Sequence, residues 1–317
     1  MLYSFRMVFV AGMERSGTTM IASQLGACDE TIVLPELHFL ASLVEHTVLK
    51  QPADKIYDKI TGHRKFNTLE IELDRLEIER VYTDNGLEGV LSVLLDTYLK
   101  KHDIDLSGDR EYVWIEHYPG NVLTYPLMRT YFSNAKFIHV VRDPRAIYGS
   151  VKHLPRWNYG EPIKLANDWI YKVAKGIQLR KLYPTDVYQL RYEDFVSDAS
   201  ELEKLCTFIG ISFNQQMQEG GGVVLPAFTK GQHALTTGPS DPSRINAWQK
   251  KITSREAEVI SAYCYEWMLS FGYLQDGLLF SKPSTRERLY WLILRMKTSL
   301  TSKIARIISL RLNAFRG

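Results

Sequence analysis

The eight residues Gly12-Met-Glu-Arg-Ser-Gly-Thr-Thr19 constrain the fold of this chain more than any other feature. They follow a short apolar, β-rich run, MVFVAG (7–12), and open a stretch from Gly17 to about Cys28 that reads as a helix. The spacing is that of a phosphate-binding G-x-x-x-x-G-K-[ST] loop, with Thr18 where the lysine would stand. Such a loop wraps backbone N–H groups around a phosphate at the amino end of a helix, where the helix dipole also favours an anion. Ser16, Thr18 and Thr19 add hydroxyl donors, Gly17 permits close approach, and Arg15 supplies a cation from a different place in the loop. Without the loop lysine and a clear magnesium partner, ordinary γ-phosphate chemistry on ATP or GTP loses its support.

Strand and helix signals alternate along the rest of the chain. YVWIEHYP (112–119) is a second strand candidate stopped by proline and glycine, KFIHVVRDP (136–144) a third and more deeply buried one, and VYQLRYEDF (187–195) a fourth. Asp143 is placed to cap, and Pro144 to open, the helix after the third strand. Leu202, Leu205, Phe208 and Ile209 mark a helix that ends at Gly210, and another is predicted from about Arg255 to Gly272. Residues 39–105 read as an inserted helical layer, with Leu87, Val90, Leu91, Leu94, Leu95, Tyr98 and Leu99 on one face. The Gly-, Thr-, Ser- and Pro-rich stretch 219–243 is an irregular loop of the kind that covers ligands. This alternation predicts an α/β fold, a P-loop-like three-layer arrangement in which helices flank a central, mainly parallel sheet. The chain divides into residues 1–281, with a helical insertion at 39–110, and a basic amphipathic helical tail at 282–317.

Composition sets the limits of function. With 45% hydrophobic and 24% charged residues over a chain of 317, a soluble globular protein is expected, and neither a disordered chain nor a multi-span membrane protein fits. A net charge of +3 is too balanced for bulk nucleic-acid binding. That balance hides an asymmetry: Arg286, Arg288, Arg295, Lys297, Lys303, Arg306, Arg311 and Arg316 face a single Glu287, so residues 286–317 carry +7 and the rest −4. Cys28, Cys206 and Cys264 are too few and too scattered for a disulfide framework or a Cys₄ metal site, which predicts a reducing, cytoplasmic setting. No run of about 20 apolar residues is present, and the amino-terminal residues read as a strand rather than a signal peptide or anchor.

R-S-G-T-T after a buried strand resembles the 5′-phosphosulfate loop of the sulfotransferases that use 3′-phosphoadenosine 5′-phosphosulfate (PAPS) as co-substrate. RDPRAIYGS is similar to that family's 3′-phosphate site, an arginine at a strand end and a serine two helical turns later, here Arg142 and Ser150. An ion pair of Arg142 with Asp143 is the structural alternative. RYEDF (191–195) resembles the family's Y-E-D segment, which implies that Tyr192 lies near the nucleotide, and FTKG (228–231) echoes a late F-R-K-G, which implies Lys230 as a cofactor contact. The order of these segments, with a late W-x-x-x-I helix (Trp248–Ile252), resembles carbohydrate and protein sulfotransferases over most of 7–275.

The resemblance also implies the chemistry. Sulfuryl transfer needs a deprotonated acceptor oxygen, donors around the sulfonate and stabilisation of the leaving phosphate. Arg15 matches the basic residue that contacts the leaving and transferring groups. Glu36 in LPELHF matches a catalytic glutamate of carbohydrate, glycolipid and tyrosine sulfotransferases, and a shielded pocket is expected to raise its pKa and make it the base. His117 in EHYP resembles the T-H-L-P histidine of the cytosolic enzymes; it is the second contender, as base or as a stabiliser of the leaving group. Met20 stands where cytosolic relatives place a tryptophan against adenine, so no adenine contact carries over there. His38 and His139 read as structural, and no His/Cys/Asp spacing makes a metal site.

The expected function is metal-independent transfer of a sulfuryl group to a hydroxyl of a sugar, glycolipid or similar metabolite. A nucleotide kinase is the rival enzyme, to be distinguished by magnesium dependence, and a non-catalytic nucleotide-binding protein is a third reading. In the tail, Leu289, Ile293, Met296, Leu300, Ile304, Ile307 and Phe315 follow helical spacing with Arg288, Arg295 and Arg306 on the opposite face. Two outcomes stay open for it: an anionic membrane surface with Tyr290 and Trp291 at headgroup level, or packing on the domain or a second subunit.

Overall fold

In the computed structural model, residues 4–106, 110–154, 157, 159–223, 238–293 and 296 are described. Five strands, β1 (Ser4–Gly12), β2 (Thr31–Val33), β3 (Glu111–Glu116), β4 (Lys136–Val141) and β5 (Val187–Arg191), form one sheet in the order β2-β3-β1-β4-β5. Every pairing is parallel, with Phe9 opposite Glu116, Gly12 opposite Val140 and Val141 opposite Arg191. The side-chain period of two sorts β1 between two cores. Met7, Phe9 and Ala11 point to one face, where they meet Leu94, Trp114 and Phe137. Val8 and Val10 point to the other, with Ile21, Ile138 and Leu205. Helices must therefore cover both faces, as parallel sheets require.

α1 (Thr18–Leu25) follows β1 directly. Between β2 and β3 lie α2 (Leu40–Val48), α3 (Ile56–Thr61) and α4 (Arg75–Lys101), and the last is kinked where Gly86 takes φ 64° and ψ −153°. Beyond the kink, Leu87, Val90, Leu91, Leu94, Leu95, Tyr98 and Leu99 are all buried, as their spacing predicts. α5 (Asn121–Tyr131) precedes β4, α6 (Pro144–Val151) and α7 (Pro162–Leu182) follow it, and α8 (Tyr192–Ser197) and α9 (Ser200–Ile209) follow β5. Asp143 caps α6 by accepting from Arg145 N at 2.8 Å, Pro144 opens it, and Gly210 ends α9 with φ 68°. α10 (Ser254–Tyr263) and α11 (Tyr265–Ser270) build a third core with α6 and α7 around Trp169, Ile260 and Met268.

Three expectations need correction, and one strand had no sequence signal. The fourth predicted strand stops at Arg191, because Glu193 and Asp194 suit the first turn of a helix and α8 begins at Tyr192. The helix expected over 255–272 is two, separated at Cys264. Around Trp248 there is only a single 3₁₀ turn, Ala247–Lys250, with Arg145 stacked 4.4 Å over the indole. β2, only three residues long, is too short to show a period and was not anticipated.

Candidate active site

All five strands deliver a candidate residue at their carboxyl ends: the 12–17 loop after β1, Glu36 after β2, His117 after β3, Arg142 after β4 and Tyr192 after β5. The chain leaves central β1 for β2 on one side and later crosses to β4 on the other, and ligands of open α/β sheets bind at such a reversal of strand order.

The β1–α1 loop has the shape of an anion cradle. A Cβ on Gly12 would lie 2.2 Å from the Val140 carbonyl oxygen, and one on Gly17, at φ 100°, would lie 2.5 Å from the Tyr192 ring, so both positions demand glycine. Arg15 also takes a left-handed φ of 68°, a conformation that costs a non-glycine residue about 1 kcal/mol. Gly17 offers α1 no side-chain cap, leaving the N–H groups of its first turn for another acceptor. Ser16 is fully buried and its hydroxyl oxygen has no hydrogen-bond partner among the described residues. The loop carboxylate Glu14 is turned onto Lys172 of α7, which offsets a charge that would repel an anion.

A second arginine reaches the loop backbone, and its charge lies close to that of Arg15. Arg142 Nη1 donates to the Arg15 carbonyl at 2.9 Å, the Arg142 guanidinium lies 4.0 Å over the Tyr192 ring, and its buried Nε has no partner among the described residues. Burial and the nearby Arg142 charge together pull Arg15 below the usual guanidinium range. Held cations of this kind favour a bound anion. Asp143 pairs with Arg145 at 2.7 Å, so the alternative ion pair with Arg142 is not formed. Ser150 sits on α6 with its hydroxyl turned back to the Ile147 carbonyl at 2.7 Å. Thr18 and Thr19 are buried at the start of α1. Lys230 lies outside the described residues.

On the other side of the loop, Glu36 and His117 meet, with Oε1 and Nδ1 3.9 Å apart. Burial alone would raise the Glu36 pKa, but the hydrogen bond from His38 and the charges of His117 and His38 outweigh it and bring the carboxyl below its ordinary value. The raised pKa expected for Glu36 is thus corrected: the carboxylate is ionised at neutral pH. His117 is 3% exposed, with backbone carbonyls of Leu34 and of His117 itself near its ring. Burial lowers its pKa against the pull of Glu36 and of these carbonyls.

Two residues that hold this pair have no motif in the sequence. His38 Nε2 lies 2.8 Å from Glu36 Oε2, and its ring packs on Tyr118 with centroids 3.9 Å apart. Glu116 is 2% exposed; it accepts from Leu37 N at 2.8 Å, from Tyr118 N at 3.1 Å and from the Asn121 amide, stapling the segment after β2 to the turn after β3. Burial pushes the Glu116 pKa up to about 7, with these donors restraining the rise. A buried acid next to an expected catalytic histidine was the available signal. His139, by contrast, lies inside β4 against Gly176, where an added Cβ would meet the ring at 2.1 Å, as a structural histidine would. Among the described residues no group of three His, Cys, Asp or Glu is placed to hold a metal ion.

The class is that of a parallel α/β sheet with a lysine-free phosphate-type loop after its central strand and an arginine at the end of the neighbouring one. The family model for the sulfotransferase family matches residues 7–215, and the chain belongs to that family. It is similar to carbohydrate sulfotransferase 4 of Mus musculus, 27% identical over 174 residues that cover 48% of this chain and 45% of that protein. It is also similar to the omega-hydroxy-beta-dihydromenaquinone-9 sulfotransferase of Mycobacterium bovis, 34% identical over 93 residues covering 25% of this chain and 24% of that one. This chain therefore spans less than half the length of either relative. In fold it resembles the sulfotransferase domain of the Synechococcus PCC 7002 olefin synthase, with a TM-score of 0.57 at 18% identity over 86% of this chain and 96% of that one. The sulfotransferase domain of the curacin biosynthetic pathway gives 0.50 at 18% identity, over 89% of this chain and all of that one.

Proposed function

We propose that the chain transfers a sulfuryl group from PAPS to a hydroxyl of a carbohydrate, glycolipid or related metabolite. The observation that carries this reading is the reach of Arg142 from the end of β4 to the Arg15 carbonyl, beside an uncapped helix start and a buried Ser16 hydroxyl without a partner among the described residues. When bound, PAPS supplies an activated sulfuryl group on its 5′-phosphate. The 12–19 loop, with Arg15, Ser16, Gly17, Thr18 and Thr19, holds that end; Arg142 and Ser150 take the 3′-phosphate, Ser150 after releasing the Ile147 carbonyl, and Tyr192 flanks the nucleotide. Lys230 is a further contact in this reading.

Glu36 serves as the base. Ionised at neutral pH and 22% exposed, it is open to an acceptor hydroxyl, and His117 beside it gives the proton or the departing charge a second partner. Arg15 faces the charge that develops on the transferring and leaving groups. One relative is named for carbohydrate and the other for an ω-hydroxylated menaquinone, which supports a hydroxyl acceptor of either kind. Cys28, Cys206 and Cys264 are free thiols, in keeping with a reducing, cytoplasmic setting. No described helix is long and apolar enough to cross a membrane.

The test is calorimetric binding of 3′-phosphoadenosine 5′-phosphate in EDTA. Wild type is expected to bind without metal, and Arg15→Ala and Arg142→Ala each to lose about 10- to 100-fold. Binding of ATP only, and only with magnesium, would instead assign the chain to the phosphotransferase reading.

A further inference from the structure

Residues 285–293 form a helix whose two sides meet different surroundings. Trp291 is only 6% exposed. One turn earlier, Glu287 takes a two-pronged contact from Arg255 of α10, Nε to Oε1 at 2.7 Å and Nη2 to Oε2 at 3.1 Å. At about 100° per residue, Glu287 and Trp291 share the side held against the body. Leu289, Leu292, Ile293 and Met296 fall on the other side and are 58%, 47%, 45% and 65% exposed. Arg286 and Arg288, both exposed, border that strip on its two edges. The arrangement corrects the sequence expectation in two respects: Trp291 is committed to the body, and Arg288 flanks the apolar strip instead of opposing it.

Four large apolar side chains presented together between arginines, on a helix already anchored from behind, call for a partner that is apolar below and anionic at its surface. A second copy of the same face would set one +7 segment against another, which like-charge repulsion opposes. A lipid interface answers both demands, since acyl chains take Leu, Ile and Met while phosphate headgroups take guanidinium. We infer that this helix docks the protein on an anionic lipid bilayer, with Leu289, Leu292, Ile293 and Met296 entering the headgroup boundary and Arg286 and Arg288 on lipid phosphates. The inference is independent of the transfer chemistry.

The experiment is sedimentation of the full chain with vesicles of phosphatidylcholine alone or with phosphatidylglycerol added, at low and high salt. Binding is expected only with phosphatidylglycerol and is expected to weaken in high salt. The triple variant Leu289→Ser/Leu292→Ser/Ile293→Ser and the double variant Arg286→Glu/Arg288→Glu should each lower partitioning at least about tenfold with melting temperature unchanged. Absence of binding, equal binding to neutral vesicles, or variants that bind as well as wild type would overturn the inference. So would a triple variant that turns a dimer into a monomer by light scattering, because the strip would then belong to a second copy.

Discussion

Glu36 Oε2 and His38 Nε2 are 2.8 Å apart, so the carboxylate aimed at the site is oriented by a side chain only two residues away. That bond is the largest influence opposing the rise that burial would impose on the Glu36 pKa. Removing it in His38→Ala should let the Glu36 pKa climb. Because a base works only when ionised, the acid limb of the kcat/KM profile should move up by about one pH unit. Glu36→Gln should lower kcat by about 10²- to 10⁴-fold with nucleotide binding retained, as read from initial rates and calorimetry. An unshifted acid limb in His38→Ala would remove His38 from the role.

Gly17 and Tyr192 make a contact that no other residue at 17 permits. Gly17→Ala places a methyl 2.5 Å from the ring on a backbone at φ 100°. Nucleotide affinity should fall at least about tenfold, with a stability loss of about 1–2 kcal/mol by urea unfolding. Adding Tyr192→Ala relieves the contact but not the backbone strain, so the double variant should recover stability only in part. Full recovery would show that the left-handed φ carries no cost there.

Glu116 receives three N–H donors in a dry interior. In Glu116→Gln one acceptor becomes an NH₂ group facing other donors, and unfolding free energy should drop by about 1–3 kcal/mol. The Glu36 and His117 segments lose their staple, so kcat should fall while nucleotide binding at the 12–19 loop persists. A variant with wild-type kcat would reduce Glu116 to a core acid.

His139 bears on acid stability. Burial depresses its pKa to about 3 from an ordinary 6.5. Below pH 6.5 the unfolded chain takes up a proton that the folded chain refuses, so this residue's contribution falls as pH drops from 6.5 toward 3, at up to about 1.4 kcal/mol per unit. His139→Leu should flatten the difference in unfolding free energy between pH 7 and pH 4 relative to wild type, measured in urea at each pH. An unchanged slope would mean that His139 is protonated in the fold.

The alternation of strands and helices, the phosphate loop, the cap at Asp143 and the end of α9 at Gly210 were legible in the sequence because each rests on contacts a few residues apart. Local spacing also places Arg15 in a loop and Arg142 at a strand end. It carries nothing about His38, since a histidine two residues from a glutamate is unremarkable until the chain bends it back. The staple at Glu116 joins residues 79 positions apart at Leu37, a separation no local pattern records.

The sequence by itself thus determined four of the five strands, the loop after the first and the family of the chain. Only the tertiary structure decided the strand order that gathers five strand ends at one edge, the lowered pKa of Glu36, the burial of His117 beside it, and which side of the 285–293 helix faces outward. The reason is physical: backbone conformation follows from neighbours in sequence, whereas desolvation and charge coupling depend on every group that packs nearby, whatever its number.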